Sequence, residues 1–329
     1  MGMLDVYAHR ENGDAACDAA VGRDAYRHEA LLYAGEDEFV EKTAAFLREG
    51  VESGEPSLVV VSSRKIERLR ERLNGAADAV LFADMADVGL NPARIIPAWR
   101  EFIASRYAPG TCLRGIGEPI FPERSAVELV ECQRHEALLN LAFQDTPGFW
   151  LLCPYDTLAM PPEVIEEAKR SHPFVMSDGS SASGDYSGLD AISAPFTAPL
   201  TPPPPDAAGL RFDLVSLPGV RAFVREWATT AGLSPERVHD VVLAVSELTA
   251  NSVRHGGGEG SVRIWVEDDT LVCDVADRGH IADPLAGRVQ RPATETGGQG
   301  LWLVTQLCDL VQIRQFPDGN TIRLHQRRR

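Results

Sequence analysis

A glutamate and an asparagine lie four residues apart in the stretch SPERVHDVVLAVSELTANSVRHGGG, which has strong helical periodicity. Because four residues make about one helical turn, Glu247 and Asn251 should project from the same face. A carboxamide oxygen can bind Mg²⁺, and a carboxylate one turn away can orient or deprotonate an attacking hydroxyl or water. The pair indicates metal–phosphate chemistry, but surface helices carry many such pairs by chance.

Three pieces further along the chain strengthen this interpretation. The apolar stretch TLVCDVAD ends at Asp277, which can accept a hydrogen bond from an adenine amino group, and Gly279 lets backbone approach the base. In TGGQGLWLVTQLCD, Gly298 and Gly300 come directly before an apolar helix, whose free N–H groups and dipole favour phosphate. Thr321 begins the strand NTIRLHQ, and its hydroxyl can reach the base region. Together the pieces predict an adenine-nucleotide site.

The elements that must position these residues can be predicted from the same pattern. The helix has Ser234 as a plausible cap, a proline in its first turn and glycines from Gly256 at its end. Its core-facing side is an apolar stripe at helical spacing, formed by Val238, Val241, Val242, Val245 and Leu248. The strands SVRIWVED and TLVCDVAD follow, so we expect a mixed or antiparallel sheet with helices on one face.

The order of these pieces resembles the GHKL ATPase superfamily, and within it the serine kinases that act as anti-sigma factors. ELTANSVRHG matches the N box of that family, DRG its first glycine box and GGQGL its second. The prelude that begins LRFDLVSLPGVRAFVREW is also similar, so the resemblance covers residues 210–329. It implies the α/β sandwich known as the Bergerat fold.

The resemblance also implies roles for single residues, with ATP and Mg²⁺ as cofactors. Glu247 would be the general base and Asn251 the Mg²⁺ ligand. The other implied cofactor-binding positions are Asp277, Gly279 and Thr321 near adenine, and Gly298, Gly300 and Leu301 near the phosphates. One departure from the family is that Gly279 is followed by His280 and Ile281, whereas a second glycine usually stands two residues later. This change predicts a tighter nucleotide lid, over residues 282–297, or a slower turnover.

Three functions compete on these grounds. The first is a serine/threonine kinase in transcription and stress regulation that binds a sigma factor and phosphorylates a STAS-type anti-anti-sigma protein. The second is a sensor histidine kinase, which needs a long two-helix segment with a phosphoacceptor histidine before the ATPase. The third is a non-catalytic module that binds its partner with or without nucleotide, which the altered glycine box keeps open. The first is favoured, and the resemblance further implies a homodimer.

The N-terminal half alternates strand and helix signals, beginning with HEALLYAG and EDEFVEKTAAFLREGVESG. This alternation predicts a three-layer α/β domain with a mainly parallel sheet over residues 26–174. Residues 1–25 read as a polar tail. Residues 175–209 are rich in Gly and Ser and then contain a run of four prolines, so they are predicted to be a linker that is flexible first and stiffer later. This composition leaves too little room for the helices of a histidine kinase.

Short motifs in this half resemble, in order, the MEDS sensory domain of bacterial and archaeal regulators. They are His28 with LLY, then RGIGEP, EALLN and CPYD, and finally His172 with Pro173. The residue before EALLN is His135, where the family usually has tyrosine. The resemblance implies a role in sensing a small organic compound, whose identity it does not give. The candidate pocket residues are His28, Glu118, His135, Tyr155 and Asp156.

The hexamer RHEALL occurs twice, at 27–32 and at 134–139. The first copy begins a predicted strand and the second lies within a predicted helix, so the two are not a structural repeat. His28 and His135 with their neighbouring carboxylates could bind a metal, but no third ligand has a diagnostic spacing. Ordinary surface or strand-end histidines are the favoured interpretation.

Composition excludes several classes of function. The net charge of -16 opposes a role in coating nucleic acid or an anionic membrane. No apolar run approaches the roughly 20 residues that span a bilayer, and MGMLDVYAHRENGD lacks a signal-peptide core. The six cysteines are scattered without a C-x-x-C pair. We therefore expect a cytoplasmic protein with reduced thiols and no direct contact with membrane or nucleic acid.

Overall fold

The computed structural model describes residues 25–108, 110–188, 198–290 and 299–328. These residues form two domains, each built on its own sheet. Nearly all of the predicted polar tail lies outside the described residues. Within the described part of the chain, no helix is both long and apolar enough to cross a membrane.

The N-terminal domain contains a seven-stranded sheet in the order β3-β2-β4-β5-β1-β6-β7. Its strands are β1 (Arg27–Tyr33), β2 (Ser57–Val61), β3 (Val80–Asp84), β4 (Leu113–Gly117), β5 (Phe149–Asp156), β6 (Phe174–Met176) and β7 (Ser180–Ala182). All neighbouring pairs are parallel except β6 and β7, which are antiparallel. The prediction of a mainly parallel sheet is confirmed.

Helices cover both faces of this sheet. They are α1 (Glu36–Glu52), α2 (Ser63–Leu73), α3 (Met85–Val88), α4 (Ile95–Arg106), α5 (Ala126–Phe143) and α6 (Pro162–Ser171). Val59 and Val61 of β2 pack into the core under α1 and α2, while Val60 packs into the core shared with α4, α5 and α6. Alternate residues of a strand point to opposite faces, which explains why a strand buried on both faces reads as a continuous run of valine.

The helix α5 buries an unusual number of charged side chains. It begins with a capping box in which Ser125 and Glu128 bond each other's backbone N–H groups. Glu131, His135 and Glu136 are each 1% exposed. His28, the second residue of β1, is equally buried, so the expectation of surface histidines is wrong for both residues, and only His28 lies at a strand end. These residues are buried by tertiary contacts, because the polar side of α5 faces other parts of the protein and not solvent.

The C-terminal domain is a five-stranded sheet in the order β11-β12-β10-β9-β8. Its strands are β8 (Ala208–Asp213), β9 (Glu259–Glu267), β10 (Thr270–Asp277), β11 (Leu310–Phe316) and β12 (Gly319–Arg327), and every neighbouring pair is antiparallel. The helices α7 (Leu217–Thr230), α8 (Pro235–His255) and α9 (Gln299–Leu307) pack with one face of the sheet into a single core. The predicted sandwich with helices on one face is confirmed.

The segment predicted as a linker makes contacts with both domains. Strands β6 and β7 extend the first sheet, and residues 189–197 lie outside the described residues. The proline-rich part then lies along the second sheet, where Arg323 Nη2 donates to the Thr201 carbonyl at 2.9 Å and Arg263 Nη2 to that of Pro204 at 3.2 Å. The described part of this segment is therefore attached to the domains, which composition alone did not indicate.

Candidate functional site

The helix α8 presents Glu247 and Asn251 side by side, as predicted from their spacing. Both side chains are half-buried. A methyl group added at Gly300 would lie 3.0 Å from Glu247 Oε2 and 3.1 Å from Asn251 Nδ2. The first turn of α9 therefore lies directly against the carboxylate and the amide, at a distance that leaves little room for a side chain. The N–H groups at a helix start and the positive end of the helix dipole can bind phosphate.

A second group of residues surrounds Asp277, at the end of β10. Its carboxylate accepts hydrogen bonds from Gly279 N at 2.7 Å, Asn320 Nδ2 at 2.8 Å and Ser252 Oγ at 2.5 Å. A methyl group at Gly256 would lie 2.4 Å from Asp277 Cγ, so only glycine fits there without movement. These donors fix the orientation of the carboxylate, which retains lone pairs for an additional donor such as an amino group.

The departure after Gly279 has a visible structural consequence. Ile281 N donates to Gln315 Oε1 at 2.7 Å, and Gln315 Nε2 donates to the Gly319 carbonyl at 2.9 Å. The Ile281 side chain packs against the core of the C-terminal domain. In place of a second glycine, this chain thus has a residue attached to the sheet by both its backbone and its side chain.

The remaining predicted positions border these two groups. Thr321 pairs with Ala276 in the register of β10 and β12, next to the pair of Asp277 with Asn320. Leu301 packs against the core of the domain. Gly298 lies outside the described residues. Helix α8 connects the groups, since Asn251 belongs to the first and the adjacent Ser252 to the second.

The far end of α9 is held by the N-terminal domain. Asn91 Nδ2 donates to the Thr305 carbonyl at 3.0 Å. Arg94 Nη2 donates to the carbonyls of Gln306 at 2.6 Å and Cys308 at 3.1 Å. The last carbonyls of a helix lack partners within it and carry partial negative charge, so a guanidinium there is favourable. One domain therefore caps a helix of the other.

The chain after the first glycine box also contacts the N-terminal domain. Leu285 and Val289 pack against its core. Arg288 Nη2 lies 3.7 Å from Glu131 Oε2, and Arg314 Nη1 lies 2.8 Å from Glu131 Oε1. Burial lowers the pKa of Arg288 to about 10, so this guanidinium remains charged at neutral pH. The described start of the predicted nucleotide lid is therefore docked against α5.

The N-terminal domain has a cavity of about 550 Å³ at the carboxyl ends of its parallel strands. The Tyr33 hydroxyl donates to Glu118 Oε1 at 2.6 Å, and Lys65 Nζ lies 2.5 and 2.7 Å from the two Glu118 oxygens. Burial raises the pKa of Glu118, while Lys65 and Tyr33 oppose that shift. Burial and the Glu118 charge also raise the pKa of the Tyr33 hydroxyl. Ligand sites of open α/β sheets gather at this edge.

Asp156 both lines this cavity and caps a turn. Its Oδ1 accepts hydrogen bonds from Gly35 N at 3.2 Å and Leu158 N at 3.0 Å. A residue of the cavity wall is therefore also held in place by backbone donors of the adjoining turn.

The structure divides the five candidate pocket residues into separate groups. Glu118 and Asp156 line the cavity. His28 and Tyr155 instead surround His172, with ring centroids 4.0 and 5.6 Å from the His172 ring. His135 is buried on α5 and is not among the residues that line the cavity.

Sequence reasoning missed Tyr33 and Lys65 in the cavity, and Asn91 and Arg94 at the domain contact. The first two had a usable signal. Tyr33 ends β1 and Lys65 lies in the first turn after β2, where pocket residues of parallel sheets are expected. The latter two are polar residues of a short connection, and nothing in their spacing indicates a helix of another domain.

Comparison with known families matches each domain separately. Residues 27–173 match the family described as MEDS, the MEthanogen/methylotroph, DcmR Sensory domain. Residues 210–325 match the histidine kinase-like ATPase domain. Among curated proteins, the serine-protein kinase RsbW of Bacillus licheniformis is 33% identical over 109 residues, which cover 29% of this chain and 68% of that kinase. This chain joins a MEDS domain to an RsbW-family domain.

Two other RsbW relatives match this chain over stretches of similar length. RsbW of Bacillus velezensis is 32% identical over 117 residues, which cover 31% of this chain and 72% of the relative. RsbW of Listeria monocytogenes serovar 1/2a is 34% identical over 101 residues, which cover 26% of this chain and 64% of the relative. The crystal structure of the RsbU and RsbW domains of Rv1364c from Mycobacterium tuberculosis has 25% identity and a TM-score of 0.28, and covers 36% of this chain and 32% of that chain.

Proposed function

We propose that this protein is an ATP-dependent serine/threonine kinase that binds a sigma factor and phosphorylates a STAS-type anti-anti-sigma protein. The observation that carries the proposal is the direct approach of Gly300 to both Glu247 and Asn251. It brings a helix start suited to phosphate against a carboxylate and an amide suited to proton transfer and Mg²⁺. The serine-protein kinase names of the relatives support the same reaction class.

Mg·ATP would supply the phosphoryl group and offset the charge that develops during transfer. The Asn251 carboxamide oxygen would bind the metal ion. The Glu247 carboxylate would orient the serine or threonine hydroxyl of the partner and accept its proton. Asp277 would accept a hydrogen bond from the adenine amino group, and the N–H groups at the start of α9 would bind phosphate oxygens.

Glu247→Gln tests the catalytic role with little change in shape. We expect Mg·ATP to bind with nearly the wild-type affinity, while transfer of labelled phosphate to an anti-anti-sigma substrate falls at least about 100-fold. Glu236→Gln is the matched control, because Glu236 is exposed on the same helix. Unchanged transfer in Glu247→Gln would exclude this residue as the general base.

A second candidate function is partner binding without catalysis. It is favoured by the attachment of Ile281 to Gln315, where the family usually has a flexible glycine. Calorimetric titration of Mg·ATP into wild type and Asn251→Ala, together with the phosphate-transfer assay, separates the two functions. Binding that weakens in Asn251→Ala, with transfer in wild type, supports the kinase, whereas a folded wild type that transfers no phosphate, with or without nucleotide binding, supports the partner-binding module.

We further propose that the MEDS domain controls the RsbW-family domain through their contact. The supporting observations are the capping of α9 by Arg94 and the burial of Arg288 against Glu131. Because α9 begins at the proposed phosphate site, a shift of its other end changes the contacts available to nucleotide. A small organic ligand in the cavity near Glu118 would act by changing how the first domain holds these groups.

Arg94→Ala tests this route of control. We expect the affinity for Mg·ATP or the kinase rate to change about 5-fold or more, which is the lower end of typical coupling between sites. Arg106→Ala, at an exposed position at the end of α4, is the control. Equal nucleotide affinity and equal rate in both variants would show that α9 does not transmit control.

The homodimer implied by the family resemblance stays a prediction. Sedimentation equilibrium of the full chain, with and without Mg·ATP, is the direct measurement. A single species at the monomer mass under both conditions would contradict it.

A further inference from the structure

Four buried side chains with metal-ligating atoms converge inside the MEDS domain, away from the cavity near Glu118. His28 comes from β1, Glu136 from α5, Cys153 from β5 and His172 from the end of α6. Each is at most 1% exposed. One ligand atom from each residue lies within 4.8 Å of all the others. We call these four residues the His28 cluster.

The first ring nitrogen of His28 has a defined role. Asn140 Nδ2 donates to the Ser171 carbonyl at 2.7 Å, which orients the amide so that Oδ1 points the other way. His28 Nδ1 lies 3.0 Å from this Oδ1 and must therefore be the donor. In the neutral ring the proton is then on Nδ1, and Nε2 carries a lone pair directed into the cluster.

The His172 ring is oriented in the same sense. Its Nδ1 lies 2.8 Å from the Ala168 carbonyl, which can only accept, so Nδ1 is again the donor. Its Nε2 and that of His28 lie 3.3 and 3.2 Å from Glu136 Oε2. Among the described residues, buried His172 Nε2 and Glu136 Oε1 have no hydrogen-bond partner. The lone pairs of the two Nε2 atoms thus face the Glu136 carboxylate. This arrangement needs a positive charge between the rings and the carboxylate.

A proton on one histidine or a metal ion could supply that charge. The geometry favours the metal ion. The Cys153 sulfur adds a fourth ligating atom to the two ring nitrogens and the carboxylate, and all four residues are at most 1% exposed. A proton would engage at most two of these four atoms, whereas one ion can bind all of them.

Three of the distances between ligand atoms are close to those around a tetrahedral ion of the zinc type, and all four atoms lie within 4.8 Å of one another. Cys153 Sγ lies 3.4 Å from His28 Nε2. The Nε2 atoms of His28 and His172 lie 3.2 and 3.3 Å from Glu136 Oε2. Ligands about 2.1 Å from a tetrahedral Zn²⁺ are separated from each other by about 3.4 Å. A divalent ion with one carboxylate and one thiolate is neutral overall, which suits a site without water. The hydrogen bonds from both Nδ1 atoms are those that orient metal-bound histidines.

We propose that His28, Glu136, Cys153 and His172 bind one divalent transition-metal ion of the zinc class. On binding, the ion would form a bond to the Cys153 sulfur, and the thiol proton would leave to solvent. The ion would connect β1, α5, β5 and α6 at one point. The same helix α5 carries Glu131, five residues before Glu136, at the contact with the RsbW-family domain.

Cobalt substitution of the full chain tests the site. We expect wild type refolded with Co²⁺ to take up one equivalent and to show the visible absorption of four-coordinate cobalt with a thiolate-to-cobalt band. Cys153→Ser should lose the thiolate band. Cys132→Ser should keep it, because Cys132 is an equally buried thiol of α5 that lies outside the cluster and donates to the Pro119 carbonyl at 3.3 Å.

Two results would overturn the proposal. One is wild type that contains no stoichiometric zinc as purified and takes up no cobalt on refolding, which would mean that a proton supplies the charge. The other is a thiolate band that persists unchanged in Cys153→Ser. If that variant does not fold, the metal content of wild type and of His172→Gln decides, and equal content in the two also contradicts the assignment.

Discussion

Glu131 and Arg314 belong to different domains, yet Glu131 Oε1 and Arg314 Nη1 lie 2.8 Å apart with side chains only 1% and 4% exposed. Arg288 approaches the second oxygen of the same carboxylate. A single carboxylate thus offsets two buried guanidinium groups at the domain contact. Removing one member of a buried ion pair lowers stability far more than removing a surface pair, because the remaining charge is left buried without hydration.

Glu131→Gln should therefore destabilise the full chain by about 3 kcal/mol, since it removes the carboxylate that faces both buried guanidinium groups. The free energy of unfolding from urea denaturation is the measurement. Glu101→Gln, at an exposed position on α4, should change it by less than about 0.5 kcal/mol. A Glu131→Gln protein as stable as this control would show that the domains are not held together in solution as described.

Gly300→Ala should weaken Mg·ATP binding at least about 10-fold, because the added methyl group would lie 3.0 Å from Glu247 Oε2 and 3.1 Å from Asn251 Nδ2. Calorimetric titration measures the loss. Gly219→Ala is the control, since α7 has nothing within 4 Å of a methyl group there. That substitution should stabilise the protein by up to about 1 kcal/mol through helix propensity and leave nucleotide affinity unchanged. Equal affinities in the two variants would place the phosphates elsewhere.

Gln315→Ala should release the chain after the first glycine box. It removes the acceptor for Ile281 N and the donor to the Gly319 carbonyl, which lie 2.7 and 2.9 Å away. We expect bound nucleotide to dissociate several-fold faster, because the lid region loses its attachment to the sheet. Stopped-flow release of a fluorescent ADP analogue measures the rate. A rate equal to that of wild type would mean that the Gln315 attachment does not limit release.

Stability should fall in mild acid through His325 of β12. Burial, with Arg323 second, lowers the pKa of His325 from 6.5 to about 4. Between these values the unfolded chain binds a proton that the folded chain does not, so stability rises with pH from about 4 to 6.5 and is lost as pH falls. From pH 7.5 to pH 5 this residue should account for a loss of about 2 kcal/mol.

The contribution of His325 can be isolated by difference. His325→Gln should reduce the change in unfolding free energy between the two pH values by that amount, whereas exposed His239→Gln on α8 should not. Because other histidines titrate in every variant, only the difference between variants is informative. An identical pH dependence in His325→Gln and wild type would contradict the lowered pKa.

Local pattern was sufficient for most of the fold and for the proposed nucleotide site. The alternation around Val59 to Val61 and the spacing of Glu247 and Asn251 are properties of single elements, so periodicity alone predicts them. The cavity residues at strand ends were partly accessible through the general rule for parallel sheets. In each case the physical cause acts within a few residues of the chain.

The remaining features depend on contacts between distant segments. His28 and His172 are 144 positions apart and meet only because β1 and the end of α6 are adjacent in the folded domain. Arg94 meets α9 across the domain contact, where the relevant acceptors are backbone carbonyls that leave no trace in residue identity. Charged residues on a helix such as α5 usually indicate a solvated face, so the burial of Glu131 could not be predicted from α5 alone.

Helix α9 contains nine residues and is therefore about 13 Å long, with the proposed phosphate site at its start and Asn91 and Arg94 at its end. If a compound bound near Glu118 changes the affinity for ATP by some factor, equilibrium thermodynamics requires ATP to change the affinity for that compound by the same factor. The ATP level of the cell would then set how tightly the proposed sensory site binds its compound, in addition to that compound setting the activity of the proposed kinase.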